Sequence, residues 1–208
     1  MAYEVIEKYF PELTERQKTQ LVKLGETCKE WNDKINVVSR KDIDNLEINH
    51  ILHSLSIGKY LKFAPGSTVI DLGSGGGFPG IPLAILFPDV KFHLVDRIGK
   101  KLKVAEEIAK ACGLENVTTQ HGDFSECKLP ADFIVSRAVM PQQDLVKLAR
   151  KNIKKECINA LPNGLITLKG GDLQEELKNM KGNTEVTDIS NYFSEPFFET
   201  KKIVYTTI

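Results

Sequence analysis

The segment Val69-Ile70-Asp71-Leu72-Gly73-Ser74-Gly75-Gly76-Gly77-Phe78-Pro79-Gly80 constrains this chain most, because a short apolar run around one acid opens directly onto a cluster of glycines. Val69 to Leu72 suits a strand covered on both faces, as in a parallel sheet. The glycines permit positive φ and let backbone N–H groups approach a ligand closely. Pro79 is compatible with a first helical turn, which predicts a short helix over 79–87. The pattern is that of an α/β fold with a ligand at its first strand-to-helix turn.

The rest of the chain alternates in the same sense. A turn cluster, Phe63-Ala64-Pro65-Gly66-Ser67, separates two periodicities. Before it the chain reads as helix: Thr14-Glu15-Arg16-Gln17 is a capping box, Leu13, Leu21, Leu24, Cys28, Trp31 and Ile35 recur at helical intervals, and 42–62 continues as helix. After it, strands 68–72, 90–96, 116–121, 132–136 and 164–169 alternate with helices 79–87, 99–112 and 142–157, the second closed by Gly113. Two β-rich runs, 184–192 and 199–207, joined through Ser194-Glu195-Pro196, predict a C-terminal antiparallel hairpin. The expectation is a doubly wound, mostly parallel seven-stranded sheet over 64–208, with an N-terminal helical extension over 1–63.

Charge selects among ligands for the turn. Gly75 to Gly80 fits a dinucleotide fingerprint only in a shifted register, and Asp71 at the strand end would repel a pyrophosphate. The same acid, through water or backbone, would attract the ammonium of an amino-acid moiety, which favours S-adenosylmethionine over NAD. Val90 to Asp96 predicts a second strand ending in an acid; Asp96 is placed to accept ribose hydroxyls and so supports a nucleoside of either kind. Asp123 and Phe124, after the third strand, are candidate adenine contacts, the acid for the amino group and the ring for the base face. Arg137, at the end of the fourth strand, is placed to grip a phosphate, a base edge or the donor's carboxylate.

Lys+Arg and Asp+Glu are equal at 28 each, a formal net charge of +0, so no global basic field points to nucleic acid. A local cluster, Arg97, Lys100, Lys101 and Lys103, remains available to phosphates. Cys28, Cys112, Cys127 and Cys157 are too widely spaced for a C-x-x-C site, no secretory signal is visible, and reduced thiols in a cytoplasmic protein are expected. No apolar stretch approaches the roughly 20 residues of a membrane helix. His50 and His53 stand three apart without an acid or thiol at ligand spacing, so no metal is expected. A monomer is expected because no long exposed apolar face is evident.

The run from Gly73 to Ala84, with Trp31-Asn32 and Asn36, His50-Ile51-Leu52-His53-Ser54, Gly99-Lys100-Lys101, Ser136-Arg137-Ala138 and Lys169-Gly170, resembles the bacterial 16S ribosomal RNA guanine-N7 methyltransferases, the glucose-inhibited division protein B family. The resemblance implies a Rossmann-like class I S-adenosylmethionine-dependent methyltransferase fold and methyl transfer to N7 of guanine 527 of 16S RNA, in the small subunit or an assembly intermediate. It places Gly73, Phe78, Phe124, Ser125 and Arg137 at the cofactor, beside Asp71, Gly75, Asp96 and Asp123. Arg137 and Lys169 would hold guanine O6 or a neighbouring phosphate. Asn49, His53, Arg97 and Ile98 depart from the family pattern. A methyltransferase with a non-RNA acceptor, or a sensor that binds the donor without transfer, are the other readings; NADH titration would expose a dehydrogenase.

Overall fold

The protein is described by a computed structural model over residues 3–39, 42–137, 139–180 and 183–208. After a short helix α1 (Glu4–Tyr9), Thr14 opens α2 (Glu15–Asn32) as its capping box requires. Thr14 Oγ1 accepts from Gln17 N at 3.3 Å while Gln17 Oε1 accepts from Thr14 N at 2.9 Å. Leu13, Leu21, Leu24 and Cys28 are buried, and Trp31 and Ile35 pack at the margin of the same core.

The expected helix over 42–62 is three segments: a 3₁₀ turn (Ile43–Asn45), a π-helix (Glu47–Leu52) and α3 (His53–Tyr60). Leu46 and Ile51, five residues apart and both fully buried, suit the wider π winding. It is followed by β1 (Thr68–Leu72), α4 (Gly80–Leu86), β2 (Lys91–Asp96), α5 (Gly99–Ala111), β3 (Val117–His121), β4 (Phe133–Arg137), α6 (Gln142–Ala149), β5 (Gly164–Gly170), α7 (Gln174–Leu177), β6 (Thr184–Asp188) and β7 (Lys201–Thr207). Gly113 follows α5 at φ +62, the left-handed conformation of a helix C-cap.

Seven strands form one sheet in the order β3-β2-β1-β4-β5-β7-β6. The first five are parallel, and β7 pairs antiparallel with both β5 and β6. Side chains alternate across it. Val69, Phe92, Phe133, Val135, Ile166 and Leu168 join the larger core beneath the N-terminal helices; Ile70, Leu72, Val95, Ile134 and Leu165 face the smaller one, with Leu145 of α6.

Three boundaries differ from expectation by more than a residue. The helix predicted over 142–157 stops at Ala149, because buried Asn152 turns its amide to Cys127 O (3.0 Å) and Leu129 O (2.9 Å) and its own carbonyl accepts from Ala131 N. Such side-chain bonds compete with helical ones. The strand predicted over 184–192 ends at Asp188, where a 3₁₀ turn (Ile189–Asn191) carries Ile189 into the core, and its partner begins at Lys201 rather than 199.

Candidate active site

β1 and β4 lie adjacent while the strands before and after them run outward in opposite directions, which opens a crevice at their carboxyl ends. The glycine turn sits in it. Gly73 N and Ser74 N donate to Val95 O, and Ser74 O accepts from Gly77 N and Phe78 N. Gly75, at φ +55, opens onto free space, whereas a Cβ on Gly76 would lie 2.9 Å from Val37 Cβ. One side of the turn is therefore covered by the chain after α2 and the other is open.

Two carboxylates fix this turn. Asp71 is fully buried, and its Oδ2 accepts from Gly80 N at 2.7 Å. Burial pushes its carboxyl up to about 7, against the opposing influence of that hydrogen bond and of Arg137. Half-buried Asp96 bridges two turns: Oδ2 accepts from Gly75 N and Oδ1 from Ile98 N, both at 2.7 Å. Asp71 thus lies beneath the turn and Asp96 beside it.

Gly73, Asp96, Asp123 and Phe124 line one cavity of about 520 Å³ together with Val139 and Met140. Asp123 Oδ1 accepts from Ser125 N at 2.8 Å, a bond that holds its carboxyl below the usual range, and Oδ2 lies 3.6 Å from Arg97 Nη1. Phe124 packs into the smaller core and still forms part of the cavity wall. Ser125 is exposed, and its carbonyl accepts from Lys151 Nζ.

Arg137 and Phe78 form a second group on the flank of the turn. Arg137 has the strand parity of Phe133 and Val135 and so shares a sheet face with Asp71. Its guanidinium carbon stands 5.4 Å from the Phe78 ring centroid, and it makes no hydrogen bond or ion pair with any described residue. Desolvation pulls its pKa down to about 10, while Asp71 and Asp42 oppose the change. His50, from the π-helix, sets its ring against the edge of Phe78 at 5.5 Å. Burial, followed by Arg137, lowers His50 to about 3, and its Nδ1 is buried with no partner among the described residues. His53 lies instead against Phe197 and Phe198. Among the described residues no group of three or more His, Cys, Asp and Glu converges as metal ligands. Ala138, the third residue of the Ser-Arg-Ala run, lies outside the described residues.

Lys169 is not beside Arg137. It has the parity of Leu165 and so the opposite sheet face, where Nζ donates to Glu176 Oε1 at 2.7 Å and Met140 O at 2.8 Å. Sequence reasoning also missed His50 as a neighbour of the turn, together with Glu176 and Gln142. His50 was visible only as a member of a histidine pair, and no local spacing signals Glu176, since α7 meets β5 through the tertiary fold alone.

Several observations fit S-adenosylmethionine. The open face at Gly75 admits a close ligand, Ser74 Oγ and Asp71 Oδ1 are buried without partners among the described residues, and Arg137 offers a cation unpaired among them at the same edge. Similar folds are known. An S-adenosylmethionine-dependent O-methyltransferase from Thermotoga maritima superposes with a TM-score of 0.58 at 19% identity, over 80% of this chain and 70% of that one. An S-adenosylmethionine-dependent methyltransferase from Aquifex aeolicus gives 0.55 at 15% identity, over 74% and 89%. These establish the fold, a class I S-adenosylmethionine-dependent methyltransferase sheet with a C-terminal antiparallel hairpin. In sequence, the ribosomal RNA small subunit methyltransferase G of Phocaeicola vulgatus is 60% identical over 99% of this chain and 98% of its own length. That of Porphyromonas gingivalis is 55% identical over 97% and 92%. The family described as rRNA small subunit methyltransferase G matches residues 17–204, and with relatives this similar over nearly their whole length, the chain belongs to that family.

Proposed function

We propose that this protein transfers a methyl group from S-adenosylmethionine to N7 of guanine 527 in 16S ribosomal RNA. Its substrate is the small subunit or an assembly intermediate, and it acts as a cytoplasmic monomer. Residues 1–63 serve as a helical extension on the methyltransferase domain, 64–208. The observation that carries this reading is Arg137, a half-buried cation over Phe78 with no hydrogen-bond or ion-pair partner among the described residues, at the carboxyl edge beside the cavity.

The donor supplies a methyl carbon on a sulfonium that leaves as a neutral thioether. Asp96 and Asp123 present carboxylate oxygens to the ribose hydroxyls and the adenine amino group, Phe124 packs the base, and Ser125 lies alongside. Gly73 and Gly75 let the backbone close on the amino-acid end, with Asp71 fixing the turn below. Phe78 and Arg137 bound the acceptor side, where the guanidinium matches the N7/O6 edge of guanine or an adjacent phosphate. Guanine N7 already carries a lone pair, so no base is needed to remove a proton. The residues accelerate transfer by holding donor and acceptor in line. Neutral, half-buried His50 supports Phe78 without taking part in proton transfer.

The test is incubation with tritiated donor and small subunits lacking the mark, followed by mass-spectrometric mapping of the labelled nucleotide. One N7-methylguanine at position 527 is expected. Calorimetric donor binding without RNA label would move the assignment to a non-RNA acceptor or a donor sensor.

A further inference from the structure

Lys169 and Glu176 together grip the segment that leads from Arg137 into α6. Pro141 has no N–H, so the backbone polar groups flanking it are the Met140 carbonyl and the Gln142 amide. Lys169 Nζ donates to Met140 O at 2.8 Å, Gln142 N donates to Glu176 Oε1 at 2.7 Å, and ammonium and carboxylate meet at 2.7 Å. One ion pair thereby satisfies both groups. The Gln142 side chain, fully buried, pins the same point: Oε1 accepts from Thr167 Oγ1 at 2.7 Å and Nε2 donates to Thr206 Oγ1 at 3.1 Å. The Lys169 side chain is 8% exposed and that of Glu176 27%, so water screens the pair poorly.

The gripped segment is a wall of the donor cavity. Val139 and Met140 line it, and Val139 Cγ2 lies 2.6 Å from where a Cβ on Gly73 would stand. Arg137 begins the same segment. A displacement of Met140 and Gln142 would therefore move the wall against which donor and acceptor are aligned, and alignment to within about half an ångström is what such a reaction requires.

We propose that Glu176 is a positioning residue for methyl transfer, holding the Val139–Gln142 wall directly at the Gln142 amide and through Lys169 at the Met140 carbonyl, and that Lys169 serves the reaction through this clamp rather than by touching the guanine. Its side of the sheet, opposite Arg137, and its two acceptors within 2.8 Å carry the assignment. α7 buries none of its own four residues, so Glu176 is held mainly by the contacts it makes here. The inference rests on the proposed function only for its turnover readout.

The experiment compares Glu176→Gln, Lys169→Met and the double variant by backbone amide exchange over 139–145 without donor, by calorimetric affinity for S-adenosylmethionine, and by turnover on unmethylated small subunits. In each single variant the Gln142 amide is expected to exchange faster and donor affinity to fall about tenfold, the scale of one charge-assisted hydrogen bond. The double variant is expected to be no worse than the weaker single one, because both act through one clamp. Wild-type exchange and affinity in Glu176→Gln would overturn the proposal. So would loss of turnover in Lys169→Met with exchange and affinity intact, which would put Lys169 on the substrate. Should Glu176→Gln not fold, Glu176→Asp, charged but a methylene short, carries the same expected and overturning results. If wild-type protein leaves the subunits unlabelled, the substrate assignment fails while exchange and calorimetry still decide the clamp.

Discussion

Arg137 is kept charged in a half-buried place where, among the described residues, it meets an aromatic face and no ion-pair partner, and folding stability gains little from such an arrangement. Arg137→Met, which keeps the apolar stem, is therefore expected to leave the denaturant midpoint unchanged or raised. Its single-turnover rate should fall by about a hundredfold or more, the cost of removing one preorganised donor. Asp96 predicts the reverse mixture. Because it bonds Gly75 N and Ile98 N as well as facing the cavity, Asp96→Ala should weaken donor binding by about 1–3 kcal/mol in calorimetry and also lower the denaturation midpoint. The placement of Asp71, Gly73 and Asp96 around the glycine turn was legible in the sequence, because each stands on a strand near its end or in the turn that follows, and these are local features. His50 and Glu176 were not, since each reaches its place through a helix whose docking no spacing encodes. Lys169 was legible as a residue but its side of the sheet was not, because it and Arg137 have opposite parity on adjacent strands.

Elements repeat this division between local and distant causes. The inner parallel strands β1, β4 and β5 are covered on both faces and read as apolar runs, so each stands within a residue of its expected place. α6 does not, because Asn152 looks like one more polar position of a periodic stretch until its amide is seen to serve two carbonyls of the preceding loop. Asn152→Ala is expected to destabilise the protein by about 1–3 kcal/mol in urea denaturation, leaving Cys127 O and Leu129 O without donors. The π-helix is another case. Its five-residue step from Leu46 to Ile51 is written in the sequence, yet a period of 3.6 fits the flanking residues well enough to hide it.

For the whole molecule, buried ionisable groups set opposite limits in pH. Asp71, raised from 3.8 to about 7, binds its proton more tightly in the fold than in the unfolded chain. Its contribution to stability is complete below 3.8 and lost as pH rises through about 7. Arg137 and Asp96, the charges that face it, act on it in opposite senses. His50, lowered from 6.5 to about 3, contributes above 6.5 and loses that contribution as pH falls toward 3. Asp71→Asn should therefore remove stability loss on the alkaline side while leaving the acid side in place, measured as urea midpoints across pH. The two-sided core and mostly parallel sheet follow from alternation along the chain, whereas the strand order does not, and the equal charge counts said nothing of where cations gather. One feature of that order bears on how the protein is made. β7 sits between β5 and β6, so a strand synthesised after both of its neighbours fills an inner position of the sheet. Until residues 201–207 have left the ribosome, β5 presents an open edge and β6 has no partner. A chain whose translation stalls before Lys201 is released with that edge bare, an invitation to aggregation and clearance.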